Sequence, residues 1–140
     1  VLFHSLHWLA RKLVPVMEAG GGGSMVVITS INAFTCGANA YCPAEAAKVN
    51  YCKGLARDVA AKNIRVNSVS PGTIFTDMLS NMPEDERRPF VEREIPLWRS
   101  RSGLPMPEEI GKVAVFLASD LSSHVTGVDI PAAGGQYINL

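Results

Sequence analysis

The sequence predicts an α/β chain organised as a partial doubly wound parallel sheet, with three strands and about three to four helices. Two observations carry the prediction. Met25-Val26-Val27-Ile28 is a short, continuously apolar run that leads into Thr29-Ser30, as expected of a strand buried on both faces of a parallel sheet. Strand candidates at residues 25–30, 64–70 and 128–132 alternate with segments of helical periodicity, the pattern of parallel pairing through right-handed crossovers.

Taken in order, Leu2, Leu6, Leu9, Leu13 and Val16 recur at helical spacing, with Phe3, Ala10, Val14 and Met17 beside them. They predict a helix over 2–17, apolar on more than one side, which Pro15 helps to end. Gly20 to Gly23 read as a flexible connection and, with Ser24, match a common linker. A second helix is predicted over 41–61, with Pro43 tolerated in its first turn and Ala44, Ala47, Tyr51, Leu55 and Val59 on one face. Residues 64–70 form the next strand, closed by Pro71-Gly72. The charged, proline-rich stretch 77–106 reads as a lid or binding loop, with one helical stretch after Pro83. A third clear helix opens at Pro107-Glu108-Glu109, where proline and acids suit a first turn, and presents Ile110, Val113, Ala114 and Leu117 inward. The last strand ends near Gly134-Gly135. No internal repeat and no second domain are evident.

Composition narrows the function classes. The chain has 140 residues, no formal net charge and 47% hydrophobic residues, which suits one globular domain. A neutral chain lacks the basic face that nucleic acid requires. Arginines between Arg87 and Arg101 are interleaved with Glu92 and Glu94 and read as solvated surface. The run 1–16 is interrupted by His4, His7, Arg11 and Lys12, so no membrane span is expected. Cys36, Cys42 and Cys52 are odd in number and show no Cys-x-x-Cys spacing, which suggests inert thiols in a reducing, cytoplasmic compartment; Cys42, beside Tyr41, is the candidate for reactivity. His4 and His7 share a helical face without a third ligand, so no metal site is expected. The amphipathic pattern is already under way at Val1, which suggests a natural start further upstream.

Three blocks are similar to the short-chain dehydrogenase/reductase family. Gly22-Gly23-Ser24-Met25-Val26-Val27-Ile28-Thr29-Ser30 resembles the strand that ends in its catalytic serine. Asn67-Ser68-Val69-Ser70-Pro71-Gly72-Thr73-Ile74-Phe75-Thr76 resembles its Asn-x-x-x-Pro-Gly-x-x-x-Thr block. Pro107-Glu108-Glu109-Ile110, Phe116-Leu117-Ala118-Ser119-Asp120, Thr126-Gly127 and Gly134-Gly135 resemble its closing helix and last strand. Tyr41, Ala46-Ala47 and Leu55-Ala56-Arg57 keep the register of its active-site helix. The resemblance covers nearly the whole chain. It implies the C-terminal half of a Rossmann-like fold, without the N-terminal βαβ units and their glycine-rich phosphate turn. Gly20 to Gly23 follow a helix and precede a strand, the reverse of the order that turn requires. It also implies NAD or NADP as cofactor, a small-molecule alcohol or carbonyl substrate, and a homo-oligomer paired through helices 2–17 and 41–61.

A tyrosine that exchanges a proton with the substrate oxygen near neutral pH needs a cation to lower its ordinary pKa of about 10. The family supplies a lysine four residues later, which also holds the cofactor ribose. Carried over by position, Tyr41 is the tyrosine and Ser30 the serine that holds the substrate oxygen. The Ser30–Tyr41 spacing is shorter than the family's usual one, which leaves Thr29 as an alternate hydroxyl. Pro71, Gly72, Ile74 and Thr76 match the wall for the nicotinamide amide, with helix capping the other reading of Thr76. Asn67 matches a structural position. The lysine position holds Glu45, which could accept from ribose hydroxyls but opposes a tyrosinate. A charge at about 5 Å in an effective dielectric near 20 is worth roughly 3 kcal/mol, so sign reversal swings the tyrosinate by up to about 6 kcal/mol, about 10⁴ in rate. Lys48, seven residues after Tyr41, is a candidate partial substitute. The family's active-site asparagine would sit at or before the first residues, where none occurs. The chain alone is therefore expected not to turn over. The alternative is a non-catalytic remnant that keeps only an association surface.

Overall fold

The computed structural model describes residues 2–35, 37 and 39–138. Three strands, β1 (Gly23–Ile28), β2 (Ile64–Pro71) and β3 (Asp129–Ala132), form one parallel sheet in the order β1-β2-β3. Five α-helices accompany them among the described residues: α1 (Leu2–Ala19), α2 (Tyr41–Val59), α3 (Asp77–Ser80), α4 (Glu84–Glu94) and α5 (Pro107–Ala118). The charged α4 is the helical stretch expected after Pro83, and the four-residue α3 is too short for periodicity to report.

Pro15 lies inside α1 rather than ending it. The stop comes from the glycines, where the amides of Gly20 and Gly22 turn back onto the carbonyls of Val16 and Met17; Gly21 has φ +90°, which favours glycine. The run is not a loose tether. A Cβ on Gly22 would collide with the Asn63 carbonyl oxygen, and Gly23 already pairs with Ile64 in the sheet. Glycine lets the two chain segments touch.

β1 meets neighbours on both faces, Met25 and Val27 against the cluster of α1 and α2 and the Ser24 hydroxyl donating to the Leu117 carbonyl of α5 at 2.8 Å, but it is only half-buried, with β2 alone beside it in the sheet. β2 is central, and its residues alternate between two helical layers. Ile64 and Val66 pack with Cys52, Ala56 and Val59 of α2, and Leu6, Val14 and Met17 of α1 close the same cluster. On the other side the Arg65 guanidinium donates to the carbonyls of Leu117 and Ser119 and to Ser122 Oγ, at 2.8–3.0 Å. This satisfies carbonyls left open at the end of α5. Asn67 donates to the Val125 carbonyl and accepts from the Val128 amide, which ties the entry to β3 onto β2.

The buried stripe of α2 is Cys42, Glu45, Val49, Cys52, Ala56 and Val59, not the face headed by Ala44 and Ala47. The helix is apolar on two sides because it has two neighbours. One side meets the sheet; the other meets α1, where Tyr51 packs edge-on against Phe3 and His7 with ring centres 5.5 Å apart. In α5, Leu117 is buried and Ile110, Val113 and Ala114 are half-buried, as the periodicity predicts.

Burial pushes the Cys52 thiol from 9.0 up to about 11; the charge of Asp129 adds to the rise and that of Lys48 opposes it. The folded chain thus holds this proton more tightly than the unfolded chain does, so stability is full below about pH 9 and falls as pH rises toward 11. Urea midpoints should fall between pH 8 and pH 10.5, and fall less in Cys52→Ala. Cys42 is also a buried free thiol; Cys36 lies outside the described residues.

Candidate active site

The end of the sheet where β2 reaches Pro71 opens into a cleft of about 800 Å³. Ser30, Tyr41, Pro71, Gly72, Ile74 and Thr76 all line it, together with Gln136 and residues of the lid and α5. Of the site residues expected from sequence, Glu45 is the one absent from its walls.

Each side chain is placed by local structure. β1 runs out at Ile28, and the Thr29 amide makes a last bond to the Val69 carbonyl. Alternation along the strand then separates the two candidate hydroxyls. Thr29 turns inward, with its hydroxyl donating to the Val69 carbonyl at 2.9 Å and lying 2.7 Å from Ser70 Oγ. Ser30 turns to the cleft and accepts the Asn32 amide at 3.2 Å, opening a one-turn 3₁₀ helix. Ser30 is therefore the hydroxyl at the cleft. Asn39 accepts the amides of Tyr41 and Cys42 at 3.0 and 3.1 Å, which fixes the first turn of α2. Tyr41 stands at that end, 43% exposed.

Glu45 lies one turn on, but α2 rotates it into the interior, where it is 2% exposed. Both carboxylate oxygens accept from the Lys48 ammonium at 3.0 Å, and Lys48 itself is only 12% exposed. Neither residue matches its sequence expectation. At 2% exposure and outside the walls of the cleft, Glu45 has no surface to offer a ribose hydroxyl. Lys48 is held by Glu45 and is not a free cation for Tyr41. The nearby interior is polar as well. Asp129 accepts from the hydroxyls of Ser68 and Ser70, and its second carboxylate oxygen is buried with no hydrogen-bond partner among the described residues.

The Pro71–Thr76 wall is backbone-rich. A Cβ on Gly72 would meet Gln136 Oε1 at 2.6 Å and the Ala133 Cβ at 2.8 Å. Thr76 precedes α3 yet makes no capping bond with its side chain, so the capping reading does not hold. The stretch 77–106 is an ordered unit with its own core of Leu79, Val91, Ile95 and Trp98; the helix expected after Pro83 is α4, and a 3₁₀ turn at Pro96–Arg99 follows it. Arg88 binds the carbonyls of Trp98, Arg101 and Gly103. The Phe75 amide donates to the Pro105 carbonyl at 2.7 Å and closes the base of the lid.

Sequence reasoning did not find Gln136. It follows Gly134-Gly135 directly, but its contacts are with Thr73, 63 positions earlier, and no local pattern reports such a pairing. Among the described residues no group of three or more His, Cys, Asp or Glu is placed to hold a metal, and no helix is long and apolar enough to cross a membrane.

Comparison with known proteins decides the family. The family model described as enoyl-(acyl carrier protein) reductase matches residues 1–136. The chain belongs to the short-chain dehydrogenase/reductase family. Protein FixR of Bradyrhizobium diazoefficiens is 41% identical over 133 residues, which are 93% of this chain and 45% of that protein. The 3-oxoacyl-(acyl-carrier-protein) reductase FabG of Pseudomonas aeruginosa is 36% identical over 138 residues, 97% of this chain and 54% of that protein. Among solved structures, 7α-hydroxysteroid dehydrogenase complexed with NADH and 7-oxo glycochenodeoxycholic acid superposes with a TM-score of 0.79 at 33% identity, covering 94% of this chain and 51% of that one. The chain spans about half the length of the curated relatives it matches. The short-chain dehydrogenase/reductase family is one of oxidoreductases, and the three-stranded parallel sheet of this chain is part of its Rossmann-like fold.

Proposed function

We propose that this chain carries the nicotinamide and substrate end of an NAD- or NADP-dependent oxidoreductase acting on a small alcohol or carbonyl compound, with its proton-transfer step weakened by Glu45. The observation that carries the reading is the single cleft into which Ser30, Tyr41, Gly72, Ile74 and Thr76 all open. The residues present fit the nicotinamide end of such a cofactor. Gly72 leaves a backbone wall that no side chain could share, Ile74 offers an apolar surface, and the Thr76 hydroxyl caps nothing. When bound, the dinucleotide supplies or accepts hydride at its nicotinamide ring. Ser30 orients the substrate oxygen, and the exposed Tyr41 hydroxyl gives it a proton or takes one.

Glu45 limits this step by occupying the cation's position. Because Lys48 neutralises it, the two charges nearly cancel at Tyr41, and the deficit is one absent positive charge rather than a reversed one. At about 5 Å and an effective dielectric near 20 that is roughly 3 kcal/mol, on the order of 10² in rate. The free thiols Cys42 and Cys52 suit a reducing, cytoplasmic setting. The test is oxidation of NADH and NADPH with a panel of small ketones, by a chimera in which a relative supplies the segment with the phosphate turn. Slow turnover that disappears in Tyr41→Phe supports the reading; turnover indifferent to Tyr41→Phe overturns it.

One observation favours a second reading. Trp8, Leu9 and Val16 on α1 are each more than half exposed, as a homo-oligomer pairing through α1 and α2 would use. A folded chain that sediments as a dimer yet binds no nicotinamide would favour an association module instead.

A further inference from the structure

Residues 133–137 join parts of the cleft that are far apart in sequence. After β3 the chain turns through Gly134 and Gly135, at φ +58° and +88°, and the Gly134 carbonyl accepts the Leu97 amide of the lid at 3.0 Å. Tyr137 stacks on Phe34, in the loop between Ser30 and Tyr41, with ring centres 5.0 Å apart. Between these anchors Gln136 makes a matched pair of bonds to one residue. Its Oε1 accepts the Thr73 amide at 2.7 Å, and its Nε2 donates to Thr73 Oγ1 at 3.0 Å. Glycine at 72 is what lets this amide approach.

We infer that Gln136 is a positioning residue for the nicotinamide wall: its side-chain amide locks Thr73, and so sets the backbone between Gly72 and Thr76 in the conformation that receives the ring. The inference rests on the nicotinamide reading above. Thr73 is half-buried at the cleft, where a freed amide would be only partly rehydrated. The amide and hydroxyl of Thr73 are therefore held in place by the same contact that keeps them satisfied. Gln136 touches the wall rather than the reacting atoms, so it tunes affinity and alignment rather than chemistry.

The test is titration of the chain with reduced nicotinamide mononucleotide, followed by the probe's own fluorescence, in wild type, Gln136→Met, Thr73→Val and Thr73→Ser. Gln136→Met removes both bonds at nearly constant shape and should weaken binding about tenfold. Thr73→Val should weaken it about threefold, and Thr73→Ser, which keeps the hydroxyl, should bind like wild type. A role confined to general stability would lower the melting temperature without this serine–valine split. Equal affinity in wild type, Gln136→Met and Thr73→Val would overturn the role of Gln136 and leave the nicotinamide reading standing. No saturable binding by folded wild type would overturn both. If Gln136→Met does not fold, the Thr73 pair decides alone.

Discussion

Replacing Lys48 by methionine is expected to lower the stability of the chain by about 3 kcal/mol, visible as a fall in the urea midpoint. The reason is the asymmetry of buried ion pairs. Removing one partner leaves the other charged and desolvated, at a cost of roughly 3–5 kcal/mol, whereas removing both for apolar groups of similar size is often neutral or stabilising. Glu45 is the more deeply buried of the two and takes both its hydrogen bonds from Lys48, so it bears the loss. The low end of the range applies because Lys48 keeps some contact with water. Glu45→Leu combined with Lys48→Met should restore the midpoint to near wild type. If Lys48→Met is as stable as wild type, the ion pair is not what holds Glu45 in the interior, and the cancellation of the two charges at Tyr41 falls with it.

The second large effect concerns chemistry. Glu45→Lys combined with Lys48→Gln should raise carbonyl reduction in the chimera by about 10², the worth of one positive charge near the tyrosinate. The single substitution Glu45→Lys is the wrong repair, because it sets a new ammonium against that of Lys48 in a tight interior. One of the two must leave or lose its proton, so this variant should be less stable and gain little. The gain in the double variant should vanish when Tyr41→Phe is added, since the cation acts through the tyrosine. A folded, cofactor-binding double variant with unchanged turnover would show that the missing cation is not what limits the step.

These effects were only partly legible in the sequence. The strands and their parallel order could be read because apolar runs and helical periods alternate, and three motif blocks and the register of the Tyr41 helix occur in the right order. Single positions were harder. Pro15 marks a stop in isolation, yet a helix packed against a core tolerates one lost amide until Gly20 and Gly21 turn it. Periodicity picked out the half-buried face of α2 that meets α1, and the second stripe, buried against the sheet, stayed hidden because periodicity cannot rank two covered sides. The interior placement of Glu45 stayed hidden with it. Its pairing with Lys48 was available from the spacing of three residues, but only once both residues were placed inside. Thr29 and Ser30 differ in role by strand alternation alone, which needs the strand end to within one residue. Gln136 lay beyond any local pattern, because its partner is brought to it by the sheet.

The most direct test of the account is an NMR titration of the isotope-labelled chain with nicotinamide mononucleotide. Saturable shifts are expected in the amides of Thr73, Ile74 and Thr76 and in the ring of Tyr41, with none at Glu18 to Gly22, at the opposite end of the sheet. Absence of shifts along the Pro71–Thr76 wall in the folded chain, or shifts confined to another surface, would contradict it.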